Sequence, residues 1–473
     1  MSERRWQLGV GWIVFYCLMA LQMVVPVSMV WADDMEGETS GLPRIQQFVT
    51  PRGASVVLIE NHAIPMVEVR ILVRGGGVYD PPGREGVASL TSWMFNEGAG
   101  ELDSVAFQER LHYYGISLSA SASTDTIEVT MMTLSEHLEE AWTRLGDALM
   151  RPRMAAVDFQ RAVRERTAEL IKSEEDPDFR VIRAVYPMIF GKHPYARPVN
   201  GTVESLKKIE LADLRRHHDA TFRGAGMVVA VAGDVTLEQL KQMTSRHLAG
   251  LNGSPGPFSK VAKAEPGEEG STRHIEMDLP QTTLRVGVVG ISRDDPDFYA
   301  MTVMNQILGG GGLPSRLTTS IREKRGLAYG VSSYFLPLPG QGPFLVGTET
   351  KTESAGEVLS LIHQELRRMV EEEVGEEELR DTKRYLTGSF PLQLDGLDKL
   401  AETWCRVIFY QRGLDYLDKW PERIRAVTAG DIQRVAKRIL VFKRLHTVSV
   451  GKRKPELVGD GIPPQTPASP PSP

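Results

Sequence analysis

The hydrophobic positions of the first part of the chain alternate with polar ones over short stretches, as they do in β-strands. The segments GASVVLIEN and MVEVRILVRGG are rich in β-branched residues, end at Asn61 and Gly75, and predict two paired strands. The segment ISLSASASTDTIEVTMMTL alternates in the same way and predicts two more strands. These strands are short and close in sequence, so we expect a meandering sheet that is mostly antiparallel.

Segments with apolar residues at helical spacing lie between these strands. The segment SVAFQERLHYYG carries apolar residues at helical intervals, with Ser104 as a cap and Gly115 as a stop. The segment GREGVASLTSWMFNEGAG predicts a short amphipathic helix that glycine terminates. Short meandering strands with helical segments between them predict an α+β fold. In such a fold the helices pack on one face of each sheet.

The pattern occurs twice. The segment that begins at Ala212, ADLRRHHDATFRGAGMVVAVAGD, resembles the segment GDIQRVAKRILVFKRLHTVSVGK near the C-terminus. The alignment that places Asp213 on Asp431 also places Gly233 on Gly451, without a gap between them. A weak repeat of helix, turn and strand in one constant register predicts two homologous α+β halves.

The boundaries of these parts follow from composition. A stretch rich in proline and glycine separates the halves, and a second one, GIPPQTPASPPSP, ends the chain and is expected to be disordered. The predicted parts are a targeting segment at 1–32, a flexible segment at 33–43, the first half at 44–250, a linker at 251–272, the second half at 273–455 and a disordered tail at 456–473.

The N-terminus resembles a secretory signal. Arg4 and Arg5 precede a long apolar run, and Ala32 is a small residue at the expected cleavage position. The sequence therefore predicts a periplasmic or exported protein. The apolar run is long, so an uncleaved inner-membrane anchor is the alternative. Cleavage after Ala32 would leave Cys405 as the only cysteine, which allows no disulfide within the chain.

Composition and charge narrow the function. The chain is 41% hydrophobic and 25% charged with a formal net charge of −6, which is typical of a globular protein and gives no basic footprint for nucleic acid. None of the ten histidines lies in an H-x-x-E-H pattern or its inverse. His217 and His218 are adjacent, so they point to different faces of a helix and cannot share one metal ion.

A glycine run and an Arg/Tyr pair are the candidate chemistry of the second half. Gly309, Gly310, Gly311 and Gly312 are followed by Leu-Pro-Ser and not by the Lys-Ser/Thr of a phosphate-binding loop. Arg322 and Tyr329 follow, and Gly326 between them predicts a helix end. One interpretation is a basic helix C-terminus followed by a strand. The other is a guanidinium and a phenol held together as donors to a carbonyl or an oxyanion.

These residues together resemble a known family. The segment GGGGLPSRLTTSIREKRGLAYGVSS is similar to the Arg/Tyr segment of the pitrilysin/insulinase family of zinc peptidases, in the branch that includes mitochondrial processing peptidase. LVRGGGVYDPPGREGVAS and VVAVAGDVT extend the resemblance, which covers nearly all of residues 44 to 455. The resemblance implies pairs of α+β domains that close like a clam shell over a peptide.

The resemblance also implies a zinc site that this chain does not retain. In the family, a frame of Gly, two residues, His, two residues, Glu, His and Met carries two zinc ligands and the glutamate that activates water. Here the three functional places hold Ser89, Ser92 and Trp93, and the place of the family's further glutamate ligand falls on Glu169. Neither a hydroxyl nor an indole N–H replaces imidazole, so no metal is expected in this chain.

The resemblance therefore implies a divided active site. Some bacterial members split the work between a zinc-bearing chain with H-x-x-E-H and a chain that presents Arg and Tyr, and this chain resembles the second kind. In that case Arg322 and Tyr329 complement a metalloendopeptidase in trans, the glycine run contacts a peptide or unfolded-protein substrate, and zinc belongs to the partner. A non-enzymatic peptide-binding or scaffold protein on the same fold is the alternative. A serine nucleophile at Ser89 or Ser92 lacks a nearby histidine base.

Overall fold

The computed structural model describes residues 45–267, 269–311 and 314–458. The predicted targeting segment, the flexible segment up to residue 43, Gly312 and nearly all of the predicted tail lie outside the described residues. No helix among the residues that the structure describes is long and apolar enough to cross a membrane.

Two sheets form the framework. Six strands belong to the first sheet, namely β1 (Ile45–Val49), β2 (Ser55–Glu60), β3 (Met66–Arg74), β4 (Ser117–Ala122), β5 (Thr126–Leu134) and β6 (Val228–Gly233). Five strands belong to the second sheet, namely β7 (Thr272–Glu276), β8 (Gln281–Val289), β9 (Ala328–Phe335), β10 (Pro343–Lys351) and β11 (His446–Gly451).

Helices connect the strands in both halves. Those of the first half are α1 (Val87–Trp93), α2 (Ser104–Tyr113), α3 (Leu138–Met150), α4 (Ala156–Ser173), α5 (Pro177–Phe190), α6 (Val203–Leu206), α7 (Leu211–Thr221) and α8 (Leu237–His247). Those of the second half are α9 (Phe298–Leu308), α10 (Ala355–Glu371), α11 (Glu376–Ser389), α12 (Leu397–Phe409), α13 (Tyr416–Ala426) and α14 (Ala429–Ile439).

The strand order differs from the expected meander at one place. The sheets run β1-β2-β6-β3-β5-β4 and β7-β11-β8-β10-β9, mostly antiparallel. The prediction that β2 and β3 pair is wrong, because β6 lies between them, parallel to β2 and antiparallel to β3. The side chains of β6 are all buried, so this strand suits a central place better than an edge. The predicted pair β4 and β5 is confirmed.

The two halves share one topology. Without β1, the first sheet reads β2-β6-β3-β5-β4, which matches β7-β11-β8-β10-β9 strand for strand. The alignment of Asp213 with Asp431 also aligns α7 with α14 at both ends, and each helix begins with a capping box that contains this aspartate. The weak sequence repeat therefore corresponds to repeated structure.

Apolar side chains pack between each sheet and its helices. In the first half the inward face of β3, with Val67, Val69 and Ile71, packs together with Trp142 of α3 and Leu240 of α8. These side chains are all fully buried, as the alternation in β3 predicts.

Helix α2 begins one residue earlier than its sequence suggests. The predicted cap is Ser104, but the carboxylate of Asp103 accepts from the backbone N–H of Ala106 and caps the helix. Aspartate and serine both cap helices well, so the sequence alone does not decide between neighbours.

Each sheet also has a helix from the other half on its second face. Val181, Val185 and Ile189 of α5 pack in one apolar cluster with Leu345 of β10 and Val448 of β11. Helix α12 contacts β3 and β6 of the first sheet and buries Trp404 and Cys405. Each sheet therefore has the expected helices on one face and, on its other face, one helix that belongs to the other half. This exchange of α5 and α12 connects the two halves.

Candidate functional site

The helix that corresponds to the family's zinc-binding helix begins at a glycine. Gly86 has a φ of 106°, and a Cβ there would lie 2.7 Å from the side chain of Leu206. The buried carboxylate of Asp80 accepts hydrogen bonds from the backbone N–H groups of Gly86 at 2.7 Å and Ala88 at 2.9 Å. Burial raises the pKa of Asp80 to about 7. These contacts fix where α1 starts and therefore which residues face inward.

Helix α1 is buried almost all round, and not amphipathic as its sequence suggests. The hydroxyl of Ser89 donates to the side-chain oxygen of Asn200 at 2.9 Å. The hydroxyl of Ser92 donates to the carbonyl of Ala88, one turn earlier in the helix, at 3.0 Å. Both serines are buried, at 4% and 3% exposure. Each hydroxyl is therefore satisfied within the fold, and among the described residues no histidine is hydrogen-bonded to either of them.

An arginine joins the other two family positions. The guanidinium carbon of Arg166 lies 4.7 Å from the centre of the Trp93 ring, a cation–π contact. The same guanidinium donates through Nη1 to the Glu169 carboxylate at 2.8 Å. Where the family has a zinc ion between a histidine and a glutamate, this chain has a guanidinium between an indole and a glutamate. Glu169 is thus an ion-pair partner, which the sequence did not predict.

The side chains at these positions do not fit zinc. Among the described residues, no group of three or more His, Cys, Asp or Glu side chains lies close enough together to hold a metal ion. One carboxylate, already paired with Arg166, does not replace the three protein ligands that a catalytic zinc needs. The first half therefore offers no metal-activated water of its own.

Arg322 lies in a helical segment with an irregular hydrogen-bond pattern. Residues Thr318–Glu323 form a π-helical turn, and the N–H of Lys324 donates to the carbonyl of Thr319. Gly326, at φ 61°, ends the segment as predicted, with its N–H bonded to the Arg322 carbonyl at 2.9 Å. π-helical turns are rare and occur often at functional sites, because they re-aim side chains relative to a regular helix.

Tyr329 lies at a β-bulge of the edge strand β9. Thr348 pairs with Val331 and Thr350 with Ala328, so two residues of β9, Tyr329 and Gly330, face one residue of β10. Tyr329 is 73% exposed. The guanidinium carbon of Arg322 lies 5.2 Å from the centre of that ring. The structure therefore brings Arg322 and Tyr329 together on the surface of the second half.

The described part of the glycine run contacts the same strand. The carbonyl of Gly309 accepts from the N–H of Ser333 in β9 at 2.9 Å, and a Cβ on Gly309 would lie 2.6 Å from that nitrogen. Gly310 is exposed, and a Cβ there would lie 2.8 Å from the Cα of Gln306. Gly311 has a φ of 83°, its surroundings are open, and its carbonyl accepts from the Gln306 side chain.

The structure separates the candidate residues into two groups. Trp93 and Glu169 meet through Arg166, and Arg322 and Tyr329 meet at β9. Within the part of the chain that the structure describes, no hydrogen bond, ion pair or ring contact joins one group to the other. Sequence reasoning missed Arg166. Its place one helical turn before Glu169 was the available signal, because such pairs share a face.

Two protein-family models match successive parts of this chain. The model described as Insulinase (Peptidase family M16) matches residues 55–203, which include α1 and most of the first sheet. The model described as Peptidase M16 inactive domain matches residues 208–386, which include Arg322 and Tyr329. The two matches lie one after the other, and the second extends from the end of the first half into α11 of the second half.

Individual relatives and a solved structure are similar to most of the chain. A Helicobacter pylori protein named Non-peptidase homolog YmxG is 27% identical over 381 residues, which are 80% of this chain and 87% of that protein. A probable mitochondrial-processing peptidase subunit beta of Arabidopsis thaliana is 24% identical over 423 residues, with 86% and 78% covered. The crystal structure of a peptidase M16 inactive domain from Pseudomonas fluorescens superposes with a TM-score of 0.82 at 29% identity, covering 87% of this chain and 99% of that one.

Proposed function

The chain belongs to the insulinase family of peptidases, family M16, and we propose that it is the non-catalytic subunit of a heterodimeric metalloendopeptidase. In this proposal a homologous partner with H-x-x-E-H holds zinc, and this chain contributes Arg322 and Tyr329 across the interface. The names of two relatives, a non-peptidase homologue and an M16 inactive domain, support a subunit without its own peptidase activity.

One observation carries the proposal, namely the contrast between the two groups of residues. In the first half, Arg166 contacts Trp93, and the buried hydroxyls of Ser89 and Ser92 form hydrogen bonds within the fold. In the second half, the Arg322 guanidinium and the Tyr329 hydroxyl are exposed, and neither has a hydrogen-bond partner among the described residues. Donors held together and left free at a surface are suited to a ligand that arrives from outside the chain.

The chemistry of the pair suits peptide hydrolysis in trans. When a peptide carbonyl is attacked, negative charge develops on its oxygen, and preorganised donors stabilise that charge most. Arg322 supplies a permanent positive charge with several N–H donors, and Tyr329 supplies an O–H donor. A zinc ion in the partner would activate the attacking water, since the described residues of this chain form no ligand set for such an ion. The glycine run beside β9 would let a peptide approach the backbone closely.

Export is part of the proposal. The basic start, the apolar run and Ala32 support a protein sent to the periplasm or beyond, with an inner-membrane anchor if the segment stays attached. The peptide or unfolded-protein substrate would then be met outside the cytoplasm.

The test is reconstitution with a zinc-bearing homologue. Cleavage of a fluorogenic peptide is expected only when both chains are present. Arg322→Ala or Tyr329→Phe is expected to lower kcat by about 100-fold or more, because each removes one oxyanion donor. Arg380→Ala is the matched control, since Arg380 is an exposed arginine of the same half, at 64% side-chain exposure, and is expected to leave the rate unchanged.

The scaffold alternative makes a different prediction in the same experiment. The name Non-peptidase homolog of one relative also fits a protein that binds peptides without aiding their cleavage. Under that alternative the two substitutions change peptide binding or complex formation but leave kcat as it is. Wild-type kcat in both variants would remove the proposed role of the pair.

A further inference from the structure

A second surface feature lies beside the π-helical segment, away from the contact between Arg322 and Tyr329. It is an open cavity of about 480 Å³ between that segment and helices α10 and α11, and neither Arg322 nor Tyr329 lines it. The charged groups that line the cavity are Arg316, Lys324, Arg325, Arg368, Glu365 and Glu378.

Arg316 is the most buried of these cations. Its side chain is only 8% exposed. Nε and Nη2 donate to the two carboxylate oxygens of Glu378 at 3.0 and 2.7 Å. The remaining nitrogen, Nη1, is buried and has no hydrogen-bond partner among the described residues. A buried charged donor without an acceptor is unfavourable, so the described residues leave this guanidinium one hydrogen bond short.

The other charges leave the cavity positive. Glu378 is neutralised by Arg316, and Glu365 accepts from Arg368 at 3.0 Å. Lys324 and Arg325 have no ion pair in the described part of the chain, and Arg325 donates one bond, to the Ser320 carbonyl at 2.8 Å. Two cations are therefore in excess beside a buried guanidinium whose Nη1 has no acceptor among the described residues.

We propose that this cavity is a binding site for a small oxyanion, a phosphate or a carboxylate, held by Arg316, Lys324 and Arg325. Guanidinium and ammonium groups bind such oxygens through charge-assisted hydrogen bonds, and the volume admits a phosphate with room for water. The anion bridges Arg316, before the π-helical segment, to Lys324 and Arg325, after it. Its binding therefore orders the backbone that carries Arg322. The proposal concerns this chain by itself and does not depend on the zinc-bearing partner.

The experiment titrates the full chain with inorganic phosphate by isothermal calorimetry and follows amide hydrogen exchange over residues 316–326. Chloride at matched ionic strength is the reference, and an end-blocked tri-glutamate peptide is the second ligand. Saturable phosphate binding with slower exchange in that segment supports a free anion as the ligand. Saturation by the peptide but not by phosphate supports an acidic side chain as the source. Saturable binding of both ligands supports the site and indicates that it accepts a free anion as well as an acidic side chain.

Variants locate the binding. Lys324→Gln together with Arg325→Gln keeps the buried Arg316–Glu378 pair and is expected to weaken binding at least tenfold. Lys241→Gln, an exposed lysine on α8 of the first half, is the matched control and is expected to bind as wild type. Arg316→Lys keeps the charge but loses the planar donor set, and is also expected to weaken binding. No saturable binding of either ligand, or equal binding by the double variant and wild type, would overturn the proposal.

Discussion

At the scale of single residues, one arginine decides what the degenerate zinc positions have become. Arg166 links two of these positions, through a ring contact with Trp93 on one side and an ion pair with Glu169 on the other. The Glu169 side chain is 41% exposed, so the pair adds little to stability, about 1 kcal/mol or less. The ion pair matters for another reason: Glu169, the one carboxylate that remains at the zinc-ligand positions, is already bound to Arg166.

This arrangement predicts the outcome of rebuilding the metal site. Ser89→His, Ser92→Glu and Trp93→His together place two imidazoles one helical turn apart on α1. We expect weak zinc binding in that triple variant, because Arg166 still holds Glu169 and repels a cation. Adding Arg166→Ala is expected to tighten zinc binding about tenfold or more, measured by competition with a fluorescent chelator. Arg164→Ala, an exposed arginine of the same helix, is the control. Equal zinc affinity with and without Arg166 would contradict this interpretation.

At the scale of elements, irregularities in three consecutive segments place the Arg/Tyr pair. The π-helical turn Thr318–Glu323 carries Arg322, and the bulge in β9 carries Tyr329. The glycine run begins with a backbone hydrogen bond from Ser333 to Gly309, so the loop starts in register with the same strand. A regular helix and a regular strand of the same sequence would aim both side chains elsewhere.

The close approach at Gly309 is testable by substitution. Gly309→Ala is expected to destabilise the protein by about 1–3 kcal/mol, because its Cβ would lie 2.6 Å from the Ser333 nitrogen and push the strand away. The Ser333 amide should then exchange its hydrogen at least tenfold faster. Gly311→Ala, whose Cβ meets nothing within 4 Å, is the control: its φ of 83° costs stability but leaves the Ser333 amide protected. Unchanged exchange at Ser333 in Gly309→Ala would show that this contact does not set the strand.

At the scale of the whole molecule, the halves are joined by an exchange of helices. Helix α5 of the first half covers the second sheet, and α12 of the second half covers the first sheet. The thiol of Cys405 in α12 lies 3.5 Å from the carbonyl of Arg70 in β3, and burial raises its pKa, so it behaves as an apolar side chain. Each sheet is therefore covered in part by a helix from the other half.

The packing of α12 on the first sheet also buries the Glu68 carboxylate, and the pH dependence of stability is a way to observe this burial. Glu68 of β3 is 7% exposed, and burial raises its pKa to about 7, with Asp398 of α12 adding to the effect and Arg70 opposing it. A raised carboxylate pKa means that the folded state binds the proton more tightly than the unfolded state. The stability that this group contributes is therefore present below its usual pKa of 4.5 and lost as the pH rises to about 7.

Replacing Glu68 should flatten that dependence. The urea midpoint of Glu68→Gln is expected to fall less between pH 5 and pH 7.5 than that of the wild type, because the amide does not ionise. Glu377→Gln is the control, since that side chain is 84% exposed. Parallel pH profiles for wild type and Glu68→Gln would mean that Glu68 is not the group that titrates.

The sequence by itself determined the fold class, the repeat and the family. Alternating and helical periodicities report which face of each element is buried, and the register of the repeat recurs in α7 and α14 because both halves bury the same pattern. It also identified the places where zinc ligands are missing and the Arg322/Tyr329 segment, since these depend on residue type at fixed spacing.

Only the tertiary structure decided which residues meet across large separations. The insertion of β6 between β2 and β3, the exchange of α5 and α12 and the ring contact of Arg166 on Trp93 join residues far apart in the chain. Periodicity carries no information about such pairings, because it records that a face is buried and not by what. The contact between Arg322 and Tyr329 also depends on tertiary structure. The sequence gives their spacing, but a π-helical turn and a β-bulge bring the two side chains together.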